Sequence, residues 1–157
     1  MCSKSFPSLI NIIASDLCGP FNTSIGGYRY FLTWIDLKTR YVSIEFIKNK
    51  ECKTVTDSFK RFLAWILRQK GANVKRVRTD NRGEYMGQEF QHICGELGII
   101  HEMMTPYTPK HNGIAERYNR MLQEGSLTLL HNSGLTSRFW VSAIHTTNFV
   151  KNQLLHC

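Results

Sequence analysis

The sequence lacks the cysteine spacings that stabilise many small extracellular or zinc-binding domains. None of its five cysteines forms a C-x-x-C pair, and His92 and Cys94 have no second pair of ligands nearby, which argues against a structural zinc site. Five is also an odd number, so we expect a reduced, intracellular protein. No apolar run approaches the roughly 20 residues of a membrane-spanning helix, and no signal peptide is evident. We therefore expect no membrane segment.

Acidic residues are scarce. Asp and Glu total 12 against 20 Lys and Arg, which gives a formal net charge of +8 and a pI near 9.4. Such a balance favours polyanionic partners, most often nucleic acid, although charge alone fits a merely basic globular protein equally well. The chain does have 42% hydrophobic residues in 157, which indicates one folded domain with its own core.

The period of the hydrophobic pattern changes along the chain and predicts alternating strands and helices. Short runs rich in β-branched and aromatic residues indicate strands, and apolar residues at helical spacing indicate helices. The order is β-β-β-α-β-α-β-α-α, which predicts an α/β fold with a mixed five-stranded sheet flanked by helices. The predicted strands cover 8–16, 28–36, 40–47, 73–80 and 99–104, and the helices cover 51–70, 87–98, 112–131 and 137–154.

Two predicted strands, which we expect to be central, end in an aspartate, Asp16 and Asp80. Functional groups of open α/β sheets gather just outside strand ends, so these carboxylates are candidates for a shared site. A third candidate, Glu116, lies on the long predicted helix. At 100° per residue the apolar residues Ile114, Tyr118, Met121, Leu122 and Leu129 cluster on one side, and Asn112, Glu116, Arg120 and Gln123 cluster on the opposite side.

Taken alone, Glu116 fits an ordinary exposed residue paired with Arg120 one turn later. Three converging carboxylates would instead repel one another, and one of them would protonate unless a cation were bound. Oxygen ligands of this kind suit Mg²⁺ or Mn²⁺. Two such ions, roughly 3.5–4 Å apart, are the usual arrangement for phosphodiester chemistry.

Several sequence motifs resemble the integrase catalytic core of copia-class (yeast Ty-type) LTR retrotransposons. They are "SDLCGPF", "GGYRYFLTWIDLKTRY", "RTDNRGEY", "TPYTPKHNGIAERYNR" and "FWVSAI", and 35 residues separate Asp80 from Glu116, as in the D,D(35)E triad of that family. The resemblance implies a ribonuclease-H-like fold and a polynucleotidyl transferase. It also implies that Asp16, Asp80 and Glu116 are catalytic residues that hold two Mg²⁺ or Mn²⁺ ions, and that the enzyme cleaves near the ends of the element's DNA and then joins the new 3′-hydroxyl to target DNA.

The same resemblance implies partners and further contacts. DNA is the expected partner, the core is expected to form a homodimer or higher oligomer, and the protein is expected in the nucleus and cytoplasm. Residues near Glu116 that we expect to contact DNA are Lys110, Asn112, Arg120 and Gln123. A helix-capping role for Asn112 and a solvated surface role for Arg120 fit as well.

Some features depart from the family pattern. Arg82 replaces a usual glycine, and we expect it to strain the turn after Asp80 if that position needs a positive φ, or to compete with a metal for the carboxylate. Ala14, Met103 and Met104 also differ from the residues usual at those positions. We expect residues 1–8 to be an extension and 9–157 to be the catalytic core, without the upstream zinc domain and the downstream region that family integrases carry.

We therefore expect a truncated or degenerate copy from a larger polyprotein. Two alternatives to an active integrase core stay open: a catalytically inactive DNA-binding remnant, and a ribonuclease H with the same fold.

Overall fold

The computed structural model describes residues 11–80, 82–104 and 109–154, with residues 109–112 described by their backbone. Its strands are β1 (Ile12–Cys18), β2 (Tyr30–Asp36), β3 (Val42–Ile47), β4 (Arg76–Asp80) and β5 (Ile100–Met104). Its helices are α1 (Cys52–Lys70), α2 (Gln88–Glu96), α3 (Pro109–Ser133) and α4 (Trp140–Leu154), with short 3₁₀ turns at Gly83–Tyr85 and Ser137–Phe139. The predicted order of strands and helices is confirmed.

The sheet has the order β3-β2-β1-β4-β5. The first three strands form an antiparallel meander, whereas β4 pairs parallel with β1, and β5 pairs parallel with β4. This is the predicted mixed five-stranded sheet. The two strands that carry the candidate aspartates are neighbours at its centre, which places both candidates in one region of the fold.

Helices cover both faces of the sheet. On one face, α1 and α2 enclose the largest apolar cluster, in which Trp34 stacks on Phe59 and Phe62. On the other face, α3 and α4 cover two smaller clusters, around Ala14 and around Trp140. Alternate residues of β1 therefore serve different cores: Ile13 and Leu17 belong to the α1 side and Ala14 to the α3 side.

The ends of the long helix and of the first strand differ from the prediction. Helix α3 begins at Pro109 rather than 112, so Lys110 and Asn112 lie in its first turns. Proline suits the first turn of a helix because its missing N–H is not needed there. Strand β1 continues to Cys18, so Asp16 lies within the strand and not at its end.

Polar side chains of α4 protect the edge strand β3. The side-chain amide of Asn152 accepts a hydrogen bond from the N–H of Val42 at 3.1 Å and donates one to its C=O at 2.8 Å. Asn148 donates a further bond to the same carbonyl at 3.1 Å. Asn152 thus does for one residue what a further strand would do, which closes part of an otherwise open sheet edge. Among the described residues, no helix is long and apolar enough to cross a membrane.

Candidate active site

Asp16 is held on the side of the sheet that α3 covers. Asp16 lies two residues after Ala14 in β1, so the two side chains are on the same face of the sheet, and Ala14 packs beside Ala115 of α3. One carboxylate oxygen accepts the N–H of Leu17 at 3.0 Å, and the other accepts a hydrogen bond from Nδ2 of Asn119 at 2.7 Å. Strand and helix together therefore fix the orientation of this half-buried carboxylate.

Asp80, the last residue of β4, lies beside Asp16. The parallel register pairs Ala14 with Arg78, so two residues further along both aspartates stand at the same level and on the same face of the sheet. The side chain of Asp80 is only 19% exposed. Two neighbouring central strands thus bring two carboxylates together where β4 ends.

Arg82 forms an ion pair with Asp80. Its Nε lies 2.9 Å from Oδ2, and its backbone N–H donates to Oδ1 at 3.3 Å. Arg82 has φ −84° and ψ 151°, which is ordinary extended backbone. The condition under which we expected arginine to strain this turn is therefore not met, because Arg82 does not have a positive φ. The expected competition for the carboxylate has a geometric basis in the ion pair.

Burial perturbs both acids, and repulsion by Asp80 adds to the effect on Asp16. The pKa of Asp16 rises from 3.8 to about 6, mainly because burial disfavours the charge and then because Asp80 repels it. The hydrogen bond from Asn119 and the charge of Arg82 oppose this rise. The pKa of Asp80 is also raised by burial, against the attraction of Arg82. A pair of carboxylates whose ionised forms are disfavoured in this way is suited to bind a cation.

A hydrogen-bonded layer lies under the two aspartates, on the α1 side of the sheet. The buried hydroxyl groups of Ser15 and Tyr85 lie 3.0 Å apart. On β4, Oγ1 of Thr79 lies 2.8 Å from Nε2 of His101, whose Nδ1 is 2.7 Å from the amide nitrogen of Gln91. The residues just before Asp16 and Asp80 are thereby tied to neighbouring elements, which fixes the strands that carry the carboxylates.

The third sequence candidate, Glu116, does not join the pair. Within the part of the chain that the structure describes, no three His, Cys, Asp or Glu side chains lie close enough to hold a metal ion. Glu116 is exposed on α3 and makes no ion pair with Arg120, although the structure describes both residues. Its assignment as a metal ligand remains a prediction, and the simple i,i+4 ion pair is not formed.

The buried stripe of α3 lies closer to Glu116 than the sequence indicated. The buried residues of this helix are Ala115, Asn119, Leu122 and Ser126, and the predicted core residue Leu129 is 41% exposed. At 100° per residue this stripe is centred about 90° from Glu116. Glu116 therefore lies on the flank of the helix, one turn before Asn119, and not on the face opposite the core.

The four expected DNA contacts have different surroundings. Arg120 is exposed, whereas Gln123 is half-buried and lines a cavity of about 190 Å³ beside Trp140. The side chains of Lys110 and Asn112 lie outside the described residues, as do residues 105–108 of the "TPYTPKHNG" segment, whose remaining residues begin helix α3. No finding tests these DNA contacts, and they stay predictions.

Asn119 was not predicted from the sequence. It is buried, it orients Asp16, and its own Oδ1 has no hydrogen-bond partner among the described residues. The available signal was a polar residue between small and apolar ones, Ala115 and Leu122, at helical spacing. The helical projection missed it because only large apolar residues were used to locate the core.

The donor set fits a hard divalent cation. The two carboxylates supply oxygen ligands, which Mg²⁺ and Mn²⁺ prefer, and a cation would remove the repulsion between them.

Comparisons with known proteins show the family to which the chain belongs. The chain matches the integrase core domain family over residues 11–109. It is 38% identical over 147 residues to a retrovirus-related Pol polyprotein from transposon TNT 1-94 of Nicotiana tabacum, covering 93% of this chain and 11% of that protein. It is 30% identical over 145 residues to the corresponding polyprotein from transposon RE2 of Arabidopsis thaliana, covering 92% and 10%. The chain thus spans about a tenth of the length of these relatives.

Solved structures show the same fold. The integrase catalytic core domain of HTLV-2 in complex with magnesium, in a trimeric form, superimposes with a TM-score of 0.66 at 20% identity, covering 92% of this chain and 86% of that one. A chain from the simian T-cell lymphotropic virus intasome in complex with PP2A regulatory subunit B56 gamma gives a TM-score of 0.68 at 23% identity, covering 90% and 49%. The chain has the ribonuclease-H-like fold and belongs to the integrase core domain family, with relatives among copia-class retrotransposon polyproteins.

Proposed function

We propose that this chain is the core of an integrase-type polynucleotidyl transferase, which cleaves near the ends of retrotransposon DNA and joins the new 3′-hydroxyl to target DNA. The observation that carries the proposal is the pair of half-buried carboxylates, Asp16 and Asp80, on adjacent central strands. Their ionised forms are disfavoured by burial, so they gain from a bound cation.

Asp16 and Asp80 would hold a divalent metal, with Glu116 as the third ligand. When bound, the metal supplies charge stabilisation for phosphodiester exchange. Asn119 keeps one oxygen of Asp16 in a fixed direction by a 2.7 Å hydrogen bond. Glu116 lies on the flank of α3 one turn before Asn119, so we propose that its exposed side chain turns toward the aspartates when they bind metal.

The chemistry needs no oxidant and no external energy source. A DNA 3′-hydroxyl oxygen forms a new bond to phosphorus while the bond to the leaving 3′-oxygen breaks, and one proton passes from the attacking hydroxyl to the leaving oxygen. This joining step leaves the number of phosphodiester bonds unchanged. In the cleavage step that precedes it, the oxygen of a water molecule bonds to phosphorus, a proton of that water passes to the leaving 3′-oxygen, and one phosphodiester bond is lost. The chain has only to bind the strands, orient them and neutralise charge.

The metal ions, the DNA partner, the oligomeric state and the cellular location are also proposals. Mg²⁺ or Mn²⁺ in a two-ion arrangement suits the carboxylate donors. A basic chain of net charge +8 suits DNA as the partner. We propose that the chain forms a homodimer or higher oligomer, which light scattering would test. We also propose that it acts in the nucleus after synthesis in the cytoplasm, which imaging of a tagged chain would test.

A disintegration assay on a branched oligonucleotide with Mn²⁺ tests the activity. We expect strand joining by the chain, and its loss in Asp80→Asn and Glu116→Gln. Asp57→Asn is a matched control, because it removes one exposed carboxylate of α1 that has no role in the site. Full activity in Asp80→Asn would refute the proposal.

One observation favours a second candidate, a catalytically inactive DNA-binding remnant. The Arg82 side chain occupies Oδ2 of Asp80, which the metal would need. Such a remnant would bind DNA with steep salt dependence and show no Mn²⁺-dependent turnover. No observation favours a ribonuclease H, and cleavage of the RNA strand of an RNA–DNA hybrid would be needed to revive it.

A further inference from the structure

Arg82 contacts both oxygens of Asp80. The backbone N–H reaches Oδ1 at 3.3 Å, and Nε reaches Oδ2 at 2.9 Å. The charge of Arg82 also favours the ionised form of Asp16. A single cation, tethered two residues from Asp80, therefore serves as counter-ion to both carboxylates of the site.

The Arg82 side chain is free to leave this position. It is 63% exposed and its backbone is unstrained. The next residue, Gly83, has no atom within 4 Å of where a Cβ would stand, so that side of Gly83 is open. An ion pair with this exposure is weak, which means that a divalent ion bound by two carboxylates can displace the guanidinium.

We propose that Arg82 is an exchangeable counter-ion, which lies on Asp80 until a divalent metal displaces it and which then binds a phosphate of the DNA. This rests on the proposed function. A guanidinium binds phosphate oxygens well and keeps its charge at any relevant pH. Since metal frees Arg82 for DNA, and DNA phosphate draws Arg82 away from Asp80, each ligand strengthens the binding of the other, and the coupling is reciprocal.

The first test is Mn²⁺ binding measured by calorimetry on the chain alone. Arg82→Gln removes the competing charge, so we expect Mn²⁺ to bind about three- to tenfold more tightly. Arg61→Gln is the matched control: Arg61 is 59% exposed and ion-paired with Glu45 on the α1 side of the sheet, and the change in net charge is the same. We expect the control to change Mn²⁺ affinity less than twofold.

Equal or weaker Mn²⁺ binding by Arg82→Gln would overturn the inference. A third outcome would refute both the metal site of the proposed function and this inference. In that outcome, neither the unaltered chain nor Arg82→Gln shows Mn²⁺ binding that is lost when Asp80→Asn is added. If the unaltered chain bound Mn²⁺ at this site but did not join DNA strands, the result would count against the proposed function alone.

The second test is the coupling between metal and DNA. Fluorescence anisotropy would give the affinity for a DNA duplex with and without Mn²⁺ at constant ionic strength. We expect Mn²⁺ to strengthen duplex binding by a factor about threefold larger in the chain than in Arg82→Gln. Arg61→Gln should keep the coupling of the unaltered chain. An equal factor in all three proteins would overturn the exchange of Arg82 between Asp80 and phosphate.

Discussion

Replacing Asp16 with asparagine should stabilise the fold above pH 6, although it removes a residue that we propose to be essential for activity. The carboxylate of Asp16 is half-buried beside Asp80, and both features disfavour its charge. Asparagine keeps the shape of the side chain and has no charge. The fold therefore loses an unfavourable ionisation, at the cost of one hydrogen-bond acceptor.

The magnitude follows from the pKa shift. A rise from 3.8 to about 6 corresponds to about 3 kcal/mol when Asp16 is fully ionised. Partial exposure and solvent screening reduce that figure. Asn119 and the N–H of Leu17 each donate to one oxygen of Asp16, and asparagine offers only one oxygen, which costs about 1 kcal/mol. A net stabilisation of about 1 kcal/mol at pH 8 is expected.

The effect should depend on pH in one direction. The pKa of Asp16 is higher in the folded chain than in the unfolded one, so the folded chain binds more protons between pH 3.8 and about 6, and its stability falls as pH rises through that range. Below pH 3.8 the carboxyl is neutral in both states. The advantage of Asp16→Asn should therefore be absent at low pH, grow between pH 4 and 6, and stay constant above.

Urea unfolding of both proteins across this pH range, without divalent metal, measures the difference directly. Asp57→Asn is the control, because it makes the same chemical change on α1, where the side chain of Asp57 is 41% exposed and lies outside the site. Adding Mn²⁺ at pH 8 should stabilise the unaltered chain and not Asp16→Asn. A variant that is less stable than the chain at pH 8, or a difference that does not change with pH, would refute the argument from burial and repulsion.

Three further substitutions test other contacts. Asn119→Ala removes the donor to Asp16 and should reduce Mn²⁺-dependent strand joining by tenfold or more, measured by the disintegration assay, while the fold survives; unchanged activity would contradict a positioning role. Asn152→Ala leaves the N–H of Val42 without its partner and should lower the free energy of unfolding by about 1–3 kcal/mol, with faster amide exchange at Val42; protection equal to that of the unaltered chain would contradict it. Gly125→Ala would place a Cβ 2.7 Å from a threonine methyl of α4 and should cost about 1–3 kcal/mol in thermal or urea unfolding, and no loss would show that α4 shifts freely.

Sequence patterns predicted the fold well because the signals were long and regular. The short runs rich in aromatic and β-branched residues in β2 and β3 indicate strands, and the spacing of Val55, Phe59 and Ile66 indicates a helix. Helix α3 was harder, because its buried stripe contains Ala115, Asn119 and Ser126, which a search for large apolar residues does not count. The core-facing side of α3 was consequently assigned to the wrong part of the helix surface. Glu116 was placed opposite the core, although it lies on the flank of the helix.

The site depends on relations that sequence spacing does not contain. Asp16 and Asp80 are neighbours because β1 and β4 pair in parallel with Ala14 opposite Arg78. A register shifted by one residue would have put the two carboxylates on opposite faces of the sheet. The sequence identified the two residues, through family motifs and strand ends, but only the register shows that they are neighbours on one face of the sheet.

The turn after Asp80 shows why a departure from a family pattern has to be judged in the structure. Arg82 was expected to strain the turn if this position had a positive φ, yet the backbone of Arg82 is extended. Its effect is electrostatic, since the guanidinium lies on the carboxylate that a metal would use. A substitution that leaves the backbone undisturbed can therefore still change metal affinity. Because the Arg82 side chain is 63% exposed, a ligand that binds the guanidinium or the Asp80 carboxylate more strongly can break this ion pair.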